Sequence, residues 1–183
     1  MNAKNDFEKS ALVHLDAMYR AAFALCGNKD TAEDVVQITF LKAFKSFGSF
    51  KKGTNCKAWL MRILRNTWFD QLRHQRTAGT QVPLDENIAI EAAQVNETQW
   101  TDSTDLLENF SDEQVIKALQ SLPDEQRLTL YLVDVEGFSQ DEAAEITDVA
   151  VGTIKSRTSR GRMKLKSELL VYAREMGLAG GEL

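Results

Sequence analysis

Five cationic residues within ten positions mark the C-terminal part of the chain. The segment VGTIKSRTSRGRMKL, residues 151–165, has no acidic residue, and its cations are Lys155, Arg157, Arg160, Arg162 and Lys164. Cationic side chains bind phosphate oxygens, and small residues beside them allow close approach to base edges. The segment therefore predicts a DNA-binding helix; the alternative is a basic helix that only faces solvent.

The two faces of this predicted helix differ in character at about 100° per residue. The stripe suited to packing contains Val151, Ile154, Thr158, Gly161, Leu165 and Leu169. The opposite face, small in its centre and cationic at its edges, contains Gly152, Lys155, Ser156, Ser159, Arg160 and Met163. A capping box from Ser139 to Glu142 opens a short preceding helix, and the turn DVAV joins the two. This order predicts a helix-turn-helix.

A second basic surface is predicted on residues 55–76, NCKAWLMRILRNTWFDQLRHQR. The side suited to packing contains Leu60, Ile63, Leu64, Thr67, Trp68 and Gln71. The other side contains Ala58, Arg62, Arg65, Asn66, Phe69, Arg73 and Arg76, with Trp59 at its edge. Guanidinium groups contact phosphates and unpaired bases stack on rings, so this side is typical of single-strand binding. The alternative is that Phe69 and Trp59 pack against the first helix or under residues 77–110.

The helix predicted before it, DTAEDVVQITFLKAFKSF, has two faces with apolar character. The buried face is expected to contain Ala32, Val36, Phe40, Ala43, Phe44 and Phe47. The opposite face mixes apolar and charged groups and contains Asp34, Gln37, Ile38, Leu41 and Lys45. A helix that is apolar on two faces has two neighbours. The second neighbour is either another part of this chain or a partner protein.

Charge is strongly segregated along the 183 residues, although the net charge is only −5. Residues 42–76 and 150–183 are basic, whereas residues 77–116 contain nine acidic residues and neither Lys nor Arg. Two separate basic blocks indicate polyphosphate binding at two places. Periodicity is weak from 77 to 110, which predicts a flexible acidic linker. We therefore expect an all-α protein with two small helical domains, 1–76 and 111–183, joined by this linker.

Local signals predict the helix boundaries that position these faces. Gly27 is expected to stop the first helix, DFEKSALVHLDAMYRAAFALCG, and Thr54 to cap the third. A capping box from Ser111 to Gln114 should open the second domain. Pro123 suits the first turn of the next helix, which should end near Gly137.

Several classes of function receive no support from the composition. The polar N-terminus does not resemble a signal peptide, and no apolar run approaches the roughly 20 residues of a membrane span. The two cysteines, Cys26 and Cys56, lack metal-ligand spacing, which predicts reduced thiols, no metal and no cofactor. An enzyme using Asp134 and Glu136 with a metal is disfavoured because these acids, two apart on a predicted helix, should diverge.

Three blocks in order resemble the extracytoplasmic-function group of bacterial sigma factors. They are DTAEDVVQITFLKAFKSF, KAWLMRILRNTWFDQLR and LPDEQRLTLYLVDVEGFSQDEAAEITDVAVGTIKSRTSRGRMKL. The resemblance implies a cytoplasmic, non-enzymatic subunit that binds core RNA polymerase at the β′ clamp helices and the β flap. It also implies promoter recognition at the minus-35 and minus-10 elements, DNA melting, and an anti-sigma factor as regulator.

The resemblance carries over to particular residues. Core polymerase contacts would be Asp34, Gln37, Ile38, Leu41 and Lys45. Asn66 matches the asparagine of the minus-10 reading helix, and the surrounding face, Trp59, Arg62, Arg65, Phe69 and Arg73, would complete that site. Minus-35 contacts would be Lys155, Ser156, Ser159 and Arg160, with Arg157 on a phosphate. Lys155 replaces a common arginine and Ser159 a bulkier residue.

Two alternatives stay open at this point. The acidic linker either mimics an RNA strand in the RNA exit path of polymerase or is a soluble spacer. The second alternative concerns the whole chain, which could be an autonomous helix-turn-helix regulator. That function would explain the C-terminal block but would leave the Phe69 face and the second helix without a use.

Overall fold

Helices form all the regular structure that the computed structural model describes, which covers residues 3–51, 53–77 and 113–175. The first helical region contains α1 (Ala3–Ala11), α2 (Leu15–Cys26), α3 (Lys29–Ser46) and α4 (Cys56–Thr77). The second contains α5 (Glu113–Gln120), α6 (Asp124–Leu130), α7 (Gln140–Thr147) and α8 (Val151–Glu175). The all-α prediction is confirmed. The predicted linker and the capping box at Ser111 lie outside the described residues.

Helix ends in the first region follow local chemistry, with one correction. Gly27 ends α2 in the left-handed conformation, φ 68°, as predicted. The N-cap of α3 is Asn28, whose side chain accepts a hydrogen bond from the Thr31 amide at 3.1 Å. The prediction that Thr54 caps α4 is wrong, because the Asn55 side chain accepts from the Ala58 amide at 3.1 Å. The Thr54 hydroxyl instead donates to the Lys51 carbonyl at 2.7 Å.

The single long helix expected at the N-terminus is two helices. A 3₁₀ turn, Leu12–His14, separates α1 from α2. Phe7, Ala11 and Met18 are all buried, so the apolar stripe continues through the turn. The 3₁₀ turn therefore changes the local hydrogen bonding, while the same face of the two helices packs against the core.

The core of the first region lies where α2, α3 and α4 meet. The buried stripe of α3 contains Ala32, Val35, Val36, Thr39 and Ala43. This corrects the predicted stripe. Phe44 is 50% exposed, with its ring edge-to-face against that of Phe7 at a centroid distance of 5.2 Å, and Phe40 and Phe47 are half-buried. Thr39 is tolerated inside because its hydroxyl donates to the Val35 carbonyl at 2.7 Å.

The second region is built around the long helix α8. The Ser139–Glu142 capping box is present at the start of α7, as predicted, and Asp148 in the left-handed conformation ends that helix. A five-residue π-helical turn, Tyr131–Val135, extends α6 towards Gly137. Gly161 lets α8 approach α6 closely, since a Cβ there would lie 2.9 Å from Leu130 Cδ1. These features fix the angle at which α8 presents its outer face.

The two helical regions contact each other directly. One continuous cluster of buried side chains includes Met18 and Leu25 of α2 together with Leu128, Tyr131 and Leu132 of the second region.

Among the described helices, none combines the length and apolar character that a bilayer-spanning segment requires.

Candidate nucleic-acid and partner interfaces

The outer face of α8 presents the predicted DNA-reading residues to solvent. Lys155, Ser159 and Arg160 are exposed and Ser156 is half-buried. The Arg160 guanidinium donates to Ser156 Oγ at 3.0 Å, which holds it across the centre of this face. The helix-turn-helix formed by α7 and α8 thus places two cations, Lys155 and Arg160, and small hydroxyls where base edges can be approached.

Acids of α6 and of its π-helical turn pair with two cations of α8. Arg157 is ion-paired with Glu125, and Arg162 donates to Asp134 at 3.0 Å through Nε. That bond raises the pKa of Arg162. Arg157 is therefore only partly available, and a DNA phosphate would compete with Glu125 for it.

The two acids considered for a metal-dependent enzyme, Asp134 and Glu136, bind different side chains. Asp134 pairs with Arg162, whereas Glu136 accepts from the Tyr131 hydroxyl at 2.8 Å and pairs with Lys57. Over the described ranges, no group of three or more His, Cys, Asp and Glu side chains is placed to hold a metal ion.

The arginine-rich face of α4 is also accessible. Arg62, Asn66 and Arg73 are exposed, whereas Arg65 and Phe69 are half-buried. The Phe69 ring packs against the core, and the Arg65 guanidinium lies 5.4 Å from its centroid. The ring is therefore shared between the core and a cation, and its stacking on an unpaired base stays a prediction.

Arg65 fixes the orientation of the Asn66 amide. Arg65 Nη1 donates to Asn66 Oδ1 at 3.0 Å. A guanidinium has donors only, so the oxygen of the amide must face it. Asn66 Nδ2 has no hydrogen-bond partner among the described residues, so its two hydrogens are available to a base that offers an acceptor.

An aromatic cluster at the start of α4 contains a residue that the sequence reasoning missed. Trp59 lies 4.9 Å from the ring of Phe50 and 6.2 Å from that of Phe47. Phe50 is in the loop between α3 and α4, where periodicity gives no signal. The aromatic composition of SFGSF, residues 46–50, was the available clue.

The only acid of the basic segment 42–76 has a positioning role. Asp70 accepts from Arg73 at 2.5 Å and from Lys42 at 3.4 Å. It links α4 to α3 and restricts the Arg73 side chain at the edge of the arginine-rich face.

The mixed face of α3 is solvent-exposed. Asp34, Gln37, Leu41 and Lys45 are exposed and Ile38 is half-buried. Leu41 is 61% exposed, so the described residues leave most of its apolar side chain uncovered. The second neighbour anticipated for this helix is therefore not supplied by the described part of the chain.

Both thiols are shifted towards the protonated form. Burial raises the pKa of Cys26 to about 12 and also raises the pKa of Cys56. A thiolate, the reactive form, is therefore disfavoured at both positions.

The described helices present two exposed cationic faces and one exposed face of mixed apolar and charged residues. This arrangement is typical of a DNA-binding transcription factor that has a protein partner. Two family models match, sigma-70 region 2 over residues 12–78 and sigma-70 region 4 over residues 112–165. The chain belongs to the sigma-70 family of RNA polymerase sigma factors, within its extracytoplasmic-function (ECF) group.

Relatives and solved structures agree with this membership. The ECF RNA polymerase sigma factor EcfG of Rhodopseudomonas palustris is 39% identical over 84% of this chain and 80% of its own length. SigE of Mycolicibacterium smegmatis is 34% identical over 88% of this chain and 61% of its own. The sigma factor RpoE of Bartonella quintana, solved with the anti-sigma factor NepR, is 37% identical to this chain. The two structures match with a TM-score of 0.70 over 91% of this chain and 98% of RpoE.

Membership settles the main function. The protein is an RNA polymerase sigma factor, which works with core polymerase at promoter DNA in transcription initiation. The comparisons give no support to an autonomous regulator.

Proposed function

We propose that the three exposed faces divide the work of a sigma factor among themselves. The α3 face, with Asp34, Gln37, Ile38, Leu41 and Lys45, binds the β′ clamp helices of core polymerase. The α4 face, with Trp59, Arg62, Arg65, Asn66, Phe69 and Arg73, captures the melted minus-10 strand. The α8 face, with Lys155, Ser156, Arg157, Ser159 and Arg160, reads the minus-35 duplex. The observation that carries this proposal is the simultaneous exposure of these faces on separate helices.

The remaining assignments extend the same proposal. The domains are 1–76, 77–110 and 111–183, and the second domain also contacts the β flap. The chain supplies no catalytic group, since polymerase performs the chemistry. It acts in the cytoplasm, and an anti-sigma factor restrains it, as the NepR complex of the Bartonella relative suggests by similarity.

Reconstitution with purified core polymerase tests the proposal. The chain should co-purify with core enzyme and direct initiation at discrete start sites that share two upstream elements. Start-site mapping after overexpression supplies those elements. Failure to bind core enzyme, with DNA binding intact, would support the autonomous regulator instead.

Arg160 and Arg157 should respond differently to truncation. Arg160→Ala should cost about 1–3 kcal/mol on the minus-35 sequence and little on random duplex, because a base contact carries sequence information. Arg157→Ala should weaken binding to all sequences and flatten its salt dependence, because a phosphate contact releases counterions.

The two predictions are checked by measuring the affinity of each variant for minus-35 duplex and for random duplex at several salt concentrations. Glu125→Ala is the matched control for Arg157, since it frees that guanidinium and should raise affinity for all sequences. Equal losses on both duplexes for Arg160→Ala would reassign Arg160 to a phosphate.

A further inference from the structure

A short series of contacts on α4 connects the core to the Asn66 amide. The Phe69 ring packs against the buried cluster, and the Arg65 guanidinium lies 5.4 Å from the centroid of that ring. Arg65 Nη1 in turn donates to Asn66 Oδ1 at 3.0 Å. Because the three side chains belong to one helix, their relative positions do not depend on a loop. Asn66 is therefore held by a side chain that has its own support in the core.

The stem of Arg65 is part of the packed surface. Arg65 is half-buried, and its Nε is buried with no hydrogen-bond partner among the described residues. A guanidinium that covers a ring gains from packing and from the electrostatic attraction of the ring face. Arg65 is consequently more restricted than Arg62, an exposed arginine of the same face.

The bond from Arg65 determines which group of the Asn66 amide faces a ligand. An exposed amide has two orientations, related by a half turn of its terminal torsion, which exchange the oxygen and the nitrogen. A guanidinium has no acceptor, so only the orientation with Oδ1 towards Arg65 makes the bond. The charged donor also polarises the amide, which strengthens Nδ2–H as a donor. The pair therefore presents hydrogen-bond donors to a ligand, while Oδ1 is engaged by Arg65.

A donor-only contact distinguishes adenine from the other bases. Guanine, cytosine and thymine each have an exocyclic carbonyl oxygen, which can accept from Nδ2. Adenine has none, and its N7 acceptor lies beside the exocyclic amino group, which is a donor. An asparagine that binds the edge of adenine uses its oxygen as well as its nitrogen. The orientation fixed by Arg65 withholds that oxygen.

We propose that Arg65 is a positioning residue, which makes Asn66 select an unpaired base with a carbonyl oxygen and reject adenine. This inference rests on the proposed function of the α4 face, the capture of the melted minus-10 strand. Asn66 is the group that touches the base, and Arg65 acts through it.

Transcription from pre-opened templates measures this selectivity. Core polymerase with the parent chain is assayed on templates that present each of the four bases in turn at every position of the opened minus-10 strand. The position read by Asn66 is the one at which Asn66→Ala abolishes the dependence on the base. There the parent should give about tenfold less transcript with adenine than with the best base.

Arg65→Met should reduce that ratio to about twofold. The methionine keeps an apolar stem over Phe69, but the amide of Asn66 is then free to turn and to use its oxygen on adenine. Core affinity and the helical far-UV signal should stay at the parent values, which shows that the variant is folded. Unchanged rejection of adenine by Arg65→Met would overturn the proposal, as would a parent chain that accepts adenine as well as the other bases.

Arg62→Met is the matched control. It removes the same charge from the same face of α4, whereas the hydrogen bond to Asn66 comes from Arg65. It should lower transcription equally for all four bases, because a phosphate contact contains no sequence information. An equal relaxation of the adenine ratio by Arg62→Met would show that charge, and not orientation, sets the selectivity.

A double variant tests whether Arg65 acts through Asn66. In the Asn66→Ala background, Arg65→Met should leave the adenine ratio unchanged, because the only route from Arg65 to the base has been removed. If the ratio still shifts there, Arg65 touches the base itself and the positioning role is wrong. Parent-like transcription by Asn66→Ala on every template would instead contradict the proposed function of the face, and the inference with it.

Discussion

Leu41→Arg should reduce the affinity of the chain for core RNA polymerase by at least about 100-fold, while the helical far-UV signal stays native. Leu41 is 61% exposed at the centre of the α3 face, so an arginine there fits the free protein without strain. In the complex the same position would bury a charge against an apolar partner surface, a penalty typical of interface hot spots. Affinity measured by fluorescence anisotropy with labelled sigma factor checks the effect.

Leu170→Arg is the matched control for that experiment. Leu170 is also an exposed leucine, at 43%, but it lies on α8 of the other helical region. This variant should bind core polymerase within about twofold of the parent, as ordinary surface substitutions do. Parent-like affinity for Leu41→Arg would remove the α3 face from the polymerase site.

Asn66→Ala should lower transcription from duplex promoters about tenfold or more without changing core binding or minus-35 duplex binding. Arg65 donates to the oxygen of this amide, which leaves both Nδ2 hydrogens available to a ligand. A base acceptor would lose this donor in the variant. We therefore expect base reading, with the loss persisting on a template whose minus-10 region is already open.

Base substitution on that pre-opened template separates reading from melting. Loss that depends on the base presented to Asn66 identifies reading, whereas rescue by the open template identifies melting. Gln75→Ala, on the same helix, should behave as the parent. Parent-like transcription by Asn66→Ala on every template would exclude the residue from the site.

Local signals predicted the helix ends that depend on local chemistry. A glycine at the end of α2 and the Ser139–Glu142 box act within one turn, so the sequence around them suffices. The buried stripe of α3 was harder to predict from the sequence. Phe44 has the apolar character of a core residue but is 50% exposed, with its ring edge-to-face against that of Phe7.

Contacts between distant segments could not be predicted from periodicity. Arg127 and Leu25 are 102 positions apart, and neither residue differs in type from an ordinary helix member. The same holds for Glu125, which pairs with Arg157 and changes how that cation is available to DNA. Periodicity identifies a face but contains no information on which distant residue meets it.

Permanganate reactivity of promoter thymines is the most direct test of two separate DNA-reading faces on one polymerase-bound chain. With core polymerase and the parent protein, thymines should become reactive only around the minus-10 element. Asn66→Ala should reduce that reactivity while protection of the minus-35 duplex from DNase remains. Stable core binding with no reactive thymines, or equal reactivity with core polymerase alone, would contradict the account.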